Sequence, residues 1–129
     1  MRLSIIICFC LVFGACSSFE KDELIGSWEY IQVENLNPSS EDITTAEDLK
    51  QARPYIRFSK KNELQIFWSG KLLSSGTFRL EGKMIRYKEN LQGGGEREFP
   101  FLVKSLTDRQ IVFETMTREG TRVTAKRRN

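Results

Sequence analysis

Gly76-Thr77-Phe78-Arg79-Leu80-Glu81-Gly82-Lys83-Met84-Ile85-Arg86-Tyr87-Lys88 carries the repeat on which the fold turns. Gly76, Phe78 and Leu80 share one parity, and Thr77 and Arg79 the other. After the break Glu81-Gly82-Lys83, Ile85 and Tyr87 alternate with Met84, Arg86 and Lys88. Side chains on a strand point to opposite faces in turn, so each half is a strand with one apolar face. A gap this short returns the chain beside itself, which makes the pair an antiparallel hairpin.

Working outward, the same period recurs on both sides. Trp28 and Tyr30 flank Glu29; Ile56 and Phe58 flank Arg57; Leu64, Ile66 and Trp68 alternate with Glu63, Gln65 and Phe67. Downstream, Phe99, Phe101 and Val103, then Ile111 and Phe113, then Val123 and Ala125 repeat it, giving eight segments. The breaks at Lys60-Lys61-Asn62, Ser69-Gly70-Lys71, Leu91 to Gly95, Thr107-Asp108 and Glu119-Gly120 carry turn residues. These features predict an all-β, eight-stranded antiparallel up-and-down meander. Closing it into a small barrel removes the exposed edges, whereas a two-sheet sandwich of the same order is the rival. Pro100 inside the sixth segment requires an edge or a bulge. Between strands 1 and 2, Asn37 to Arg53 breaks the period. Ala46 to Ala52 has good helix formers and Pro54 stops it, so one short helix or flap is expected there, outside the core.

Residues 1–15 are a separate object. Arg2 precedes the apolar run Leu3 to Phe13, which at roughly 11 residues is far short of a membrane span and reads as a cleaved export signal. Val12-Phe13-Gly14-Ala15-Cys16 resembles the lipobox of bacterial lipoproteins. That resemblance implies a lipid attachment at Cys16, with acyl groups such as palmitate and a membrane as partner. Cys8, Cys10 and Cys16 are the only cysteines, so the mature domain has no thiol for a disulfide, a zinc site or a nucleophile. Residues 16–23 read as a lipidated polar tether, and 24–129 as the domain. Ser17 after the cysteine, by resemblance to known sorting rules, points away from the inner membrane. The charged run Glu20 to Glu23 resembles export tags of Bacteroidota surface lipoproteins, with a solvated linker as the alternative. The expected location is the cell envelope, lipid-anchored to an outer membrane, on either its periplasmic or its surface face.

Leu24-Ile25-Gly26-Ser27-Trp28 resembles the Gly-x-Trp signature at the head of lipocalins. Ile56-Arg57-Phe58, Gly76 to Leu80 and Gln110-Ile111-Val112-Phe113 follow as in the lipocalin-like domains of Bacteroidota lipoproteins. The resemblance spans Leu24 to about Lys126 and implies a lipocalin-like barrel. It also implies a basic residue from the last strand packed over the tryptophan. Arg127 and Arg128 lie at that place, and frayed terminal charges are the simpler reading of both. The chain is shorter than true lipocalins, which argues against a large preformed cavity.

The function classes narrow by elimination. Histidine is absent, removing the commonest general base and metal ligand. Ser69, Ser74 and Ser75 lie near Lys71, but as hairpin-turn residues they suggest no nucleophile. Gly93-Gly94-Gly95 lacks the spacing and following helix of a phosphate loop. Glu41-Asp42 and Glu47-Asp48 lack calcium-loop spacing. No enzyme, cofactor or metal is expected. A formal charge of +3, about +2 once Arg2 is removed, gives no reason to expect nucleic acid. Arg118, Arg122, Lys126, Arg127 and Arg128 form a basic cluster that reads first as a solubilising outer face. The candidate ligand-binding residues are Trp28, Tyr30, Phe58, Trp68, Phe78, Tyr87, Phe101 and Phe113, which either fill the barrel or line a hollow for a small hydrophobic or amphipathic ligand. The alternative is a filled structural or protein-interaction module of the envelope. Oligomeric state is not legible.

Overall fold

The computed structural model describes residues 19–37, 43–116 and 120–128. The export segment, Cys16, Glu41, Asp42 and Arg118 lie outside them. Eight strands run in chain order around a closed barrel: β1 (Gly26–Asn35), β2 (Tyr55–Phe58), β3 (Glu63–Trp68), β4 (Lys71–Glu81), β5 (Met84–Asn90), β6 (Glu96–Leu106), β7 (Gln110–Thr115) and β8 (Thr121–Arg127). Each pairs antiparallel with the next, and β1 pairs with β8 to close the ring. The barrel, not the sandwich, is therefore the architecture. The opening hairpin lies in the register its alternation requires, with Phe78 opposite Tyr87 and Leu80 opposite Ile85.

Closure tolerates Pro100 because of where it sits. Its carbonyl accepts from Met116 N at 3.3 Å, on the side where β7 ends. In a strand a residue's N and O point the same way, so the missing N–H costs no ladder bond. Gly76 marks a tight approach, since a Cβ there would overlap the Lys88 carbonyl.

Two helices accompany the strands. The segment α1 (Lys21–Leu24) was expected to be part of a tether. Instead a capping box joins Glu20 and Glu23, the Glu20 N–H donating to Glu23 Oε2 at 2.8 Å. Leu24 is buried and Phe19 packs against the core. The fold thus starts at least five residues before the expected Leu24. The second helix, α2 (Ala46–Ala52), has the expected bounds, held by a Thr45–Asp48 capping box and by left-handed Arg53 at its end. It was expected to stay out of the core. Leu49 and Ala52 are in fact buried, and Leu49 joins the core cluster, because α2 packs against β1.

In an up-and-down barrel alternate connections fall at opposite ends. At one end lie α1, the β2–β3, β4–β5 and β6–β7 turns and the end of β8; at the other lie α2 and the β3–β4, β5–β6 and β7–β8 connections. The first is sealed, and the second is the mouth.

Candidate functional site

The sealed end is built around Trp28. Its Nε1 donates to Leu24 O at 2.9 Å, and the Arg127 guanidinium carbon lies 4.1 Å from its ring centroid. Arg127 also donates to Ile25 O, Glu23 O and Asp108 O, each at 2.7 Å. Gly26 is required beneath it, because a Cβ there would stand 2.7 Å from Arg127 Nη1 at a φ of +133°. Arg127 is therefore not a frayed charge but the basic partner of the tryptophan. Two other members of the basic cluster are occupied as well. Arg122 pairs with Glu34 and Glu114, and Arg128 covers the Tyr55 ring at 4.1 Å.

Below the mouth, from the waist to the sealed end, the barrel is full. Trp28 and Tyr87 are 0% exposed, Phe58 and Phe113 1%, Phe101 2% and Phe78 4%. Accessible surface includes the inner wall of any void that admits water, so these six candidate residues border no such hollow. Edge-on and tilted ring contacts join Phe58 to Phe78, Tyr87 to Phe101 and Phe101 to Phe113, at 5.2–5.8 Å between centroids.

The other two candidates, Tyr30 and Trp68, stand at the mouth. Their rings meet edge-on at 6.4 Å, and Trp68 is half-buried. Burial and the neighbouring Tyr87 raise the Tyr30 hydroxyl well above the ordinary tyrosine pKa. Above them α2 is tied down at its C-terminal end: Ser69 N donates to Ala52 O and Tyr30 N to Pro54 O, both at 2.9 Å. A cleft of about 410 Å³ lies between α2 and β1, lined by Tyr30, Ile31, Leu49 and Arg53 among others. On the helix's other flank a cleft of about 300 Å³ is lined by Asp48, Ala52, Trp68 and Ser69. Exposed apolar side chains gather at this end: Leu36, Ile43, Leu72, Leu73, Leu91 and Met116.

One group at the mouth escaped the sequence reading. Ser74, assigned above to a hairpin turn, lies within β4 and is half-buried. Its Oγ donates to Glu89 and lies 2.6 Å from the Tyr87 hydroxyl, while Arg97 Nη2 donates to Glu89 Oε1 at 2.7 Å. Parity alone could have found them. Continuing Phe78–Gly76, Ile85–Tyr87 and Phe101–Phe99 by two residues reaches Ser74, Glu89 and Arg97 on the inward face.

Among the described residues no three His, Cys, Asp or Glu side chains come together to hold a metal ion. Neither a family model nor a curated protein matches the sequence. Among solved structures, a lipocalin-like protein from Bacteroides uniformis superposes with a TM-score of 0.54. It is 17% identical, and the match covers 81% of this chain and 98% of that one. The barrel is thus lipocalin-like in fold.

Proposed function

We propose that this chain is a lipid-anchored, lipocalin-like lipoprotein that holds a small hydrophobic or amphipathic ligand at the mouth of its barrel. The observation that carries this reading is the lightly closed aromatic site under α2. Tyr30 and Trp68 are covered by a helix that buries only Leu49 and Ala52. Burying a leucine stabilises by about 1.5–3 kcal/mol. A ligand of comparable apolar area could replace that contact, whereas entering the waist would require repacking six buried rings. No catalytic role is part of the reading, since Ser74 engages Glu89 and Tyr87 rather than a lysine.

The anchor belongs to the same proposal. Cys16 is three residues before Phe19, which packs at the sealed end, and a chain of that length reaches about 10 Å. Acylation at Cys16 would therefore set the sealed end against an outer-membrane surface and turn the mouth away. Expression with the leader should give protein that enters a detergent phase and carries acyl mass on Cys16, whereas Cys16→Ser should remain aqueous.

Ligand holding is tested by titrating the purified protein with a fluorescent fatty acid and by native mass spectrometry. Saturable uptake that Trp68→Ala abolishes, with the barrel's thermal transition retained, is expected. Absence of uptake together with no co-purified molecule would overturn the binding reading. The fully packed waist would then favour a structural or docking module.

A further inference from the structure

The mouth has two unlike walls. On the β1 and β3 side stand Tyr30 and Trp68, with Leu49 of α2 over them. On the β4, β5 and β6 side stand Ser74, Glu89 and Arg97, inward-facing and adjacent across the sheet. Lower in the barrel the same three strands present Phe78, Ile85, Tyr87 and Phe101 inward, all apolar or aromatic. Along these strands polarity enters only at the top; the inward-facing Thr115 and Thr121 of β7 and β8, at the same end, bond to each other.

Resting on the ligand-holding role proposed above, we infer that Arg97 receives an anionic head group, so that the ligand is an amphiphile bearing a carboxylate or phosphate. Hydrogen-bond capacity around the cluster selects the sign. Ser74 Oγ donates to Glu89 Oε2, which leaves the Tyr87 hydroxyl to donate to Ser74. Arg97 Nη2 occupies the other carboxylate oxygen, Glu89 Oε1. Both oxygens of Glu89 are thus engaged, and its side chain is only 14% exposed.

Arg97 is different. Its side chain is 62% exposed, and its partners are Glu89 and the Phe99 ring, with the guanidinium carbon 5.1 Å from that centroid. A guanidinium has five N–H donors, and a single one is used here. Glu89 and Phe99 hold its plane, so the remaining donors form a pre-oriented edge at the rim. A carboxylate or phosphate can accept two of them at once, while an ammonium or a neutral alkyl end cannot. Leu72, Leu73 and Leu91 at the same end supply apolar surface for a tail.

The test uses the full mature chain and three probes below their micelle concentrations: dodecanoate, dodecanol and acetate. Binding is read by Trp68 fluorescence and by calorimetry. Dodecanoate is expected to bind roughly ten- to a hundredfold more tightly than dodecanol, the range of one charge-assisted contact. Arg97→Gln should abolish that preference and Arg97→Lys should restore part of it, with dodecanol affinity unchanged in both. Dodecyl phosphate and inorganic phosphate, run in parallel, separate a lipid head group from a free anion. Equal affinity of wild type and Arg97→Gln for dodecanoate overturns the inference while leaving the ligand-holding role intact. If acetate or inorganic phosphate matched the tailed probes, the amphiphile assignment would fall. Failure of every tailed probe removes both readings.

Discussion

The two ends of this barrel are built on opposite principles. At the sealed end every side-chain nitrogen of the key residues is engaged. Trp28 Nε1 meets a carbonyl, and three nitrogens of Arg127 meet three more while its plane covers the indole. At the mouth, capacity is left over: donors on Arg97 and apolar side chains facing solvent. Engaged contacts make a plug, whereas unused donors and exposed apolar surface leave a wall that can still take a partner. On the proposed function, recognition belongs to the mouth.

The largest effect that would break this contrast is the loss of the plug. Trp28→Ala removes a fully buried ring and its donor to the Leu24 carbonyl. Loss of the buried ring alone should destabilise the barrel by about 3–5 kcal/mol, since Arg127 keeps its three carbonyl partners, measured as a shift in the denaturant midpoint at unchanged slope. A cost below 1 kcal/mol would mean the sealed end is no more rigid than the mouth.

A smaller effect is expected from Leu49→Ala, which takes away the main side chain holding α2. Because Leu49 sits at the rim, the cost should fall near 2 kcal/mol, the low end for such truncations. Hydrogen exchange should quicken at amides of α2 while those of β8 stay protected. Equal acceleration at both ends would show that the helix is part of one cooperative core and not a cover.

The same division explains what could be read in advance. Alternation of the kind seen in Gly76 to Lys88 located eight strands because inward burial leaves a period-two trace in composition. Gly26-Ser27-Trp28 marked the plug because the close approach of Arg127 admits no side chain at position 26. The identity of the covering arginine was not legible: Arg127 and Arg128 are chemically alike, and only the β1–β8 register, Trp28 opposite Arg127, separates them. Nor was α1, since Lys21-Asp22-Glu23 has no apolar period and holds its turn by a capping box and by Lys21 Nζ donating to Lys60 O at 2.9 Å. Ser74, Glu89 and Arg97 were hidden for a third reason. Charged residues near turns are normally outward, as in the Lys88–Glu96 pair at 3.3 Å, and only the inward parity of their strands distinguishes them.

How tightly the mouth is shut in the unliganded protein can be read from alkaline titration. Tyr30 is neutral in the fold, and burial, then Tyr87, raises its pKa above the ordinary value of 10.0. In the unfolded chain it ionises near that ordinary value. Below it both states hold the proton and the contribution is fully present. As pH rises through 10 and beyond, the unfolded state releases a proton that the folded state keeps, and stability falls. Linkage limits the slope to about 1.4 kcal/mol per pH unit for one such group. Unfolding free energies measured between pH 9 and pH 11 should therefore decline more steeply for wild type than for Tyr30→Phe, with the two curves parallel below pH 9. If the two declined alike, water would already reach the Tyr30 hydroxyl with α2 in place. The mouth would then be an open cup, and a ligand would enter without displacing Leu49.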